Sequence, residues 1–584
     1  MDEPPRRPQN DTQQELGFTR RPMVRWFDPG QLIQTGVRTV VSGVFGTYAD
    51  KREMQAALGE AEAFRDLAGA TEPIWIDYVA DLGDGWESTY TIAYLLSRET
   101  LTAGGVATPL PRGHVLLMGG DQVYPTASRE EYENRLIGPY RAALPWVEPA
   151  KAPYLFAIPG NHDWYDGLTN FIRFFCRGEK DKWIGGWKLA QRRSYFAIQL
   201  PHRWWLWGVD VQFDVYIDEP QLEFFRGVAA SFKGDERVIL VTGKPSWQHG
   251  TDEPNRSYDN VRFLEEKIIE PKGRLVVSLS GDTHHYARYE EETTDARKRQ
   301  KLTSGGGGAA LSGTHHLDDP LPLKRHDQEH DPDAEPTVYR LRERYPGPWA
   351  SRLLTFAVPL GLPIRNPTFL VGVFAFYLVP AILLQPPVRR ELGDDGAGFL
   401  QLWDATLSSK WTLYAALAIV PALIAFAAAR SIWWRIVLGA VHGAVHVVLL
   451  SAAVAAAGWL LGGALARGLD LAVAALGAFF ATFVGPSVVG LYLLLCDLLR
   501  GKQLSRHAGE VYAALRIEDR KNFLRMKIGA DGTLTIYPIG VERVARTEEM
   551  QLVPESADPG AAWFELPDAS TRAKLLEPEP IDVV

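Results

Sequence analysis

Cysteine is scarce in this chain of 584 residues: there are two, Cys176 and Cys496, far apart in sequence. A disulfide-stapled architecture needs more of them, so the pattern suits a reducing compartment. An excess of positive charge is missing as well. Lys and Arg number 62 against 71 Asp and Glu, a net charge of −9, and no basic patch overrides that balance. A nucleic-acid partner, which calls for a basic face, is not expected. The opening run from Met1 to Gln14 is polar and Pro-rich and lacks the apolar core of a secretory signal, so it reads as a disordered leader. Long uncharged apolar runs are absent from the first half of the chain and abundant after Thr368. A chain of this length exceeds one ordinary domain, and that shift marks where the second part begins.

What the first part does have is a recurring unit, a short apolar run that stops at a loop rich in Gly and acid. Tyr154-Leu-Phe-Ala-Ile ends in Pro159-Gly160-Asn161-His162-Asp163. Ile74–Ala80 ends in Asp81-Leu-Gly-Asp-Gly85, His114–Met118 in Gly119-Gly-Asp-Gln-Val-Tyr124, and Leu275–Leu279 in Ser280-Gly-Asp-Thr-His-His285. Runs of this length, bounded in this way, read as buried strands carrying function at their C-terminal edge. Together they bring carboxylate, amide and imidazole groups to one rim, a donor set suited to metal-assisted hydrolysis. Helix-like stretches at Ser88–Leu101 and Arg129–Leu144, and further strands at Ser194–Leu200, Trp204–Val211 and Arg237–Val241, give the alternation of a layered α/β domain from Ile74 to Gly313. Residues 1–73 read as leader and packing segment, and 314–367 as a linker whose histidines, His315, His316, His326 and His330, have no metal-ligand spacing.

Thr368–Leu384, Trp411–Ala429, Ile436–Leu465 and Leu471–Leu499 are long and nearly free of charge. About 20 apolar residues cross a bilayer, so residues 368–499 are expected to form four transmembrane helices and the lipid bilayer is an expected partner. Arg340, Arg342, Arg344, Arg352 and Arg365 precede the first run, Arg430 and Arg435 lie between the second and third, and Arg500, Lys502 and Arg506 follow the last. By the positive-inside tendency, the α/β domain and the C-terminal tail are cytoplasmic, on a multi-pass protein of the cell membrane. His442 and His446, one helical turn apart beside Gly439 and Gly443, read as a packed face with hydrogen-bonded imidazoles rather than as a transport site. In the tail, 500–584, Asn522–Ile528 and Thr533–Ile539 flank a Gly-rich turn and predict a β-hairpin.

The rim loops, taken in order, also resemble a known family. Asp81, Gly120-Asp121, Gly160-Asn161-His162-Asp163 and Gly281-Asp-Thr-His284 are similar to the signature of calcineurin-like metallophosphoesterases. Asp81-Leu-Gly83 and Gly120-Asp-Gln-Val-Tyr124 resemble the purple-acid-phosphatase branch in particular, and Val209-Asp210, Ile217-Asp-Glu-Pro-Gln221 and the glycine loop Ser304–Ala309 fit its later motifs. The resemblance implies a four-layer sandwich, two mixed sheets flanked by helices, and a hydrolase acting on a phosphorylated small molecule or protein. It further implies that Asp81, a bridging Asp121, His284 and Tyr124 hold one Fe, Mn or Zn ion, and that Asp121 and Asn161 hold a second, with His162 as proton donor and Asp163 orienting its ring. Two positions depart from it. Thr242 is followed by Gly243-Lys244-Pro245 where the family has a His, and Asp282 replaces the first His of the final motif. Stripped of both imidazoles, the second-ion site would be weak unless Asp282 or His249 ligates, and a Lys244 ammonium nearby would repel the ion. The alternative is a degenerate domain that binds a phosphorylated ligand and regulates the helical bundle.

Overall fold

The computed structural model describes residues 3–33, 64–70, 72–176, 183–211, 217–249, 256–325, 335–392, 397–429, 431–468, 470–499, 507–568 and 572–584. They fall into two compact units. An α/β unit takes the described residues of 1–24, 35–348 and 517–584, and a helical unit those of 25–34 and 349–516. His326, His330 and most of the packing segment before Ile74 lie outside the described residues.

The α/β unit opens with β1 (Ile74–Val79), then α1 (Trp86–Ser97), β2 (Val115–Met118) and β3 (Tyr154–Ala157). The three strands are parallel and in register, so their C-terminal ends share one edge. Their side chains alternate as the pleat requires. Ile74, Ile76 and Tyr78 enter the layer between the sheets, with Val115 and Leu117 beside them, whereas Trp75, Val79, Leu116 and Met118 pack on the outer helices. The short helix α2 (Asn161–Trp164) follows β3. The second sheet is built from β4 (Phe196–Gln199), β5 (Trp204–Val209), β6 (Glu236–Thr242), β7 (Gly273–Ser280), β8 (Tyr286–Glu291) and β9 (Gln300–Ser304), with α3 (Glu219–Ala230) inserted before β6. Strands β5, β6, β7 and β9 run parallel, β4 is antiparallel to β5, and β8 is antiparallel to β9. Val238 and Leu240 pack on the outer layer with Phe225, while Ile239 and Val241 face the first sheet. The result is the expected four layers, helix, sheet, sheet, helix.

Two segments outside the expected 74–313 domain belong to these sheets. Within the stretch read as a linker, β10 (Thr337–Tyr345) pairs with β8, and Leu321–Leu323 pairs with β10. Its sequence, Thr-Val-Tyr-Arg-Leu-Arg-Glu-Arg-Tyr, hides the alternation because the partly exposed face is charged. The predicted C-terminal hairpin is present as β11 (Lys521–Ile528) and β12 (Leu534–Val541), but it does not stand apart as a tail domain: β11 is antiparallel to β1 and extends the first sheet. Arg525 opposes Asp77 in that register, its guanidinium 2.6 and 3.0 Å from the two carboxylate oxygens and fully buried.

In the helical unit three helices are long and apolar enough to cross a membrane: α4 (Pro367–Glu391), the straight part of α5 from Ile432 to Gly462, and α6 (Asp470–Leu498). The expected second span is a bent pair instead, Phe399–Leu407 and Lys410–Phe426 meeting at 69°. Its break falls at Ser408-Ser409, where hydroxyls compete with the helix for backbone groups. Large apolar side chains such as Val371, Val379, Leu417, Val441 and Phe483 point outward, as on lipid-facing helices. Gly439 and Gly443 let α5 approach the backbone of Ile424 and Val420 closely. On the same helix the ring nitrogens of His446 meet the Tyr377 hydroxyl and, at 3.0 Å, His442 Nε2.

Candidate metal centre

Three of the four loops turn sharply at the residues that matter. Asp81, Asp121, Asp282 and His284 have φ of +58°, +50°, +70° and +48°. That left-handed backbone costs a non-glycine residue on the order of 1–3 kcal/mol, and strain of this kind gathers where a side chain must be aimed. Two glycines make the approach possible. A Cβ on Gly160 would stand 2.0 Å from Asp121 Oδ1, and one on Gly305 2.0 Å from Asp81 Oδ2.

Hydrogen bonds connect the rim residues across both sheets. Asp81, after β1, accepts from the backbone N–H of Asp282 at 2.8 Å and of His284 at 3.4 Å. Asp121, after β2, accepts from His162 N at 2.9 Å and from the Tyr124 hydroxyl at 3.0 Å. The same hydroxyl lies 3.0 Å from His284 Nε2. Carbonyls fix both imidazoles: His284 Nδ1 donates to Ala310 O at 2.8 Å and His162 Nδ1 to Pro125 O at 2.7 Å. A carbonyl only accepts, so in each ring Nδ1 carries the hydrogen and Nε2 the lone pair. Asp163 has a different task from the one expected. Its carboxylate accepts from Gly160 N, Gln122 N and the Tyr132 hydroxyl and so ties the β2 and β3 loops together, while Pro125 O sets the His162 ring. The residue lies at the third position of α2, where its acceptor satisfies backbone N–H groups that the helix leaves open.

The electrostatics are those of a cation site holding protons. Burial, then the charges of Asp121 and Asp282, push the Asp81 carboxyl well above its usual range. Burial lifts Asp121 to about 6, and burial with Asp121 lifts Asp282 to about 6 against the pull of Lys244. Burial depresses His162 to about 4 and His284 to about 3, leaving both neutral at pH 7. Among the described residues no three His, Cys, Asp or Glu side chains converge on one ligating point. They are joined to one another by hydrogen bonds instead. The donor set still fits an ion by two observations. Tyr124 has a single hydroxyl hydrogen for two acceptors, Asp121 Oδ2 and His284 Nε2. Asn161 Oδ1 is buried with no hydrogen-bond partner, a costly arrangement that a cation would relieve.

The loop after β6 reaches the same rim, since a Cβ on Gly120 would lie 3.3 Å from Gly243 Cα. It brings Gly243 and Lys244 there. The side chain of His249 lies outside the described residues. Sequence reasoning missed Pro125, Ala310 and Tyr132, which act through carbonyls or a hydroxyl and have no motif of their own.

Residues 74–286 match the family model described as calcineurin-like phosphoesterase. No curated protein sequence matches the chain. Among solved structures, a purple acid phosphatase isolated from yellow lupin (Lupinus luteus) seeds aligns at 12% identity over 43% of this chain and 47% of that one, with a TM-score of 0.28. This chain thus spans about half the length of that phosphatase. Residues 74–286, which carry the four rim loops, are thus similar to the calcineurin-like phosphoesterase domain.

Proposed function

We propose that this protein is a membrane-anchored metallophosphoesterase that hydrolyses a phosphate ester with one firmly held metal ion. The observation that carries the reading is the Tyr124 hydroxyl, which draws Asp121 and His284 from two sheets to within 3.0 Å of one atom. Asp81, Asp121, Tyr124 and His284 would hold that ion, with Asn161 Oδ1 available beside them. A bound Fe, Mn or Zn ion supplies Lewis acidity toward the phosphate and lowers the pKa of water. The chain's own residues do the rest. Pro125 O holds His162 with Nε2 as the position that exchanges a proton with the leaving oxygen. Burial alone keeps that ring neutral, and an arriving phosphate anion raises its pKa so that it can serve as acid. Asp163 fixes the backbone on which Asn161 and His162 stand.

At the second-ion position Lys244 sits close enough to Asp282 to pull its pKa down. This favours an ammonium offsetting phosphate charge there in place of a second metal. The same feature is what supports the degenerate, phospho-ligand-binding reading. Purified full-length protein assayed with Mn²⁺ on p-nitrophenyl phosphate and bis-p-nitrophenyl phosphate separates the two. Hydrolysis that Asp121→Ala abolishes supports the enzyme, and tight phosphate binding without turnover supports the regulator.

The Arg-rich flanks support a cytoplasmic side for both soluble segments. The sheet gives a second reason for a common side: β1 and β11 are hydrogen-bonded neighbours, and no bilayer can separate them. The chain between them must therefore cross an even number of times. Among the described residues three long helices alone give an odd number, which supports reading the bent pair as a fourth crossing rather than a re-entrant loop. Reporter fusions after Val584 and between Glu391 and Phe399 should report opposite sides, the first cytoplasmic.

A further inference from the structure

Lys521 and Asn522 open β11, the strand that the chain reaches only after leaving the helical unit, and both are fully buried. Beneath them runs the glycine loop after β9. Gly307 N donates to Ala80 O and Ala309 N to Asp81 O, both at 2.9 Å, so the loop sets the backbone at the strained Asp81. Ala310 O accepts from His284 Nδ1 and so decides which ring nitrogen of His284 keeps its lone pair. Besides the bonds from Ser88 Oγ to Gly308 O and from Ala310 N to Asp84, the loop is held by one short stretch, 517–522. The Lys521 ammonium donates to Ala309 O, and Asn522 N donates to Gly306 O at 3.2 Å. Ser304 Oγ donates to Asn522 Oδ1 at 2.8 Å, and Leu311 N to Ile517 O at 3.0 Å.

We propose that Lys521 and Asn522 are positioning residues of the metal centre, holding the 304–311 loop so that Asp81 and His284 keep their ligating conformation. The proposal rests on the metallophosphoesterase reading of the same site. Two details favour it over a purely architectural role. The carbonyl that Lys521 grips and the one that grips His284 belong to successive residues, Ala309 and Ala310. The ammonium is also placed where burial disfavours it, lowered to about 8, although a buried apolar residue would pack a strand edge at no such cost. Asp84, Glu518 and Asp519 face it and oppose that shift, and Asp84 accepts from Ala310 N, closing the ring of contacts around the loop.

The test uses full-length protein in detergent, with Lys521→Met, Asn522→Ala, Lys521→Arg and, as a structural control, Arg525→Met on the same strand. Mn²⁺ affinity by calorimetry and hydrogen exchange of the 303–312 peptide are read for each. Lys521→Met and Asn522→Ala should weaken Mn²⁺ binding at least tenfold and speed exchange in that peptide, while far-UV circular dichroism stays as in wild type. Lys521→Arg should recover part of the affinity. Arg525→Met should lower the melting temperature and leave Mn²⁺ affinity of the folded protein within twofold. Wild-type Mn²⁺ affinity and wild-type exchange in Lys521→Met and Asn522→Ala overturn the proposal, as does an equal loss of affinity in Arg525→Met. Should wild type bind no Mn²⁺, the metallophosphoesterase reading fails, and the exchange data alone then decide whether these residues hold the loop.

Discussion

On the metallophosphoesterase reading, individual residues at the rim carry the chemistry, and their protonation governs it. Asp121 and Asp282, both lifted to about 6, must lose protons before an ion can bind, whereas His284, depressed to about 3, is already in its ligating form. Metal affinity should therefore rise with pH through about 6, the raised Asp81 carboxyl extending the rise beyond it, and binding at pH 6 should release protons. Between pH 7 and pH 5 the loss is about tenfold for each carboxylate involved. Calorimetry in buffers of different ionisation enthalpy checks both points, and an affinity independent of pH from 5 to 7 would contradict them. Gly160→Ala probes the geometry: its Cβ would stand 2.0 Å from Asp121 Oδ1. The expected cost is about 1–3 kcal/mol of stability, with most Mn²⁺ affinity gone. Asp81, Asp121, Asn161, His162, Asp282 and His284 were legible in the sequence because each closes a strand with a Gly-flanked polar group. Asp163 was expected to orient the His162 ring. Adjacency in sequence suggested the His162 ring, whereas a helix turn of four residues puts its carboxylate back on Gly160 N.

At the scale of elements, alternation and length decided what could be read. Strands β1, β2, β3, β6 and β7 were found within a few residues because buried parallel strands are near-continuous apolar runs. Strand β10 was not, since its charged residues resemble those of a linker. Hairpin β11–β12 was found from its turn, but its partner was not, because nothing local says that Arg525 will meet Asp77. That pair is a test of the junction. Removing one side of a buried ion pair leaves the other charge uncompensated, at a cost of about 3–5 kcal/mol. Arg525→Met should lose stability on that scale, and the double variant Asp77→Leu with Arg525→Met should regain much of it in thermal unfolding. Equal stability of wild type and Arg525→Met would show that β11 does not pair as described.

For the whole molecule the consequence is that the phosphoesterase unit is discontinuous in sequence. Residues 64–348 lack β11 and β12, so cutting there exposes the edge of β1 and the buried face beneath the hairpin. Such a fragment should be insoluble, and joining 348 to 517 through a flexible linker should restore a folded, monodisperse α/β unit. A soluble, cooperatively folding 64–348 fragment would refute this. The sequence announced two compositions and a boundary between them, and it was silent on the chain's return, because pairing between strands so far apart leaves no periodic trace. The central claim concerns the ion itself and is tested by counting it. Full-length protein loaded with Mn²⁺, dialysed and analysed by atomic emission should hold one ion per chain, and Gly243→His with Asp282→His should hold two and turn over faster. Two ions per chain in the wild type, or none, would contradict the reading of a site in which Lys244 and Asp282 stand where the second metal would be.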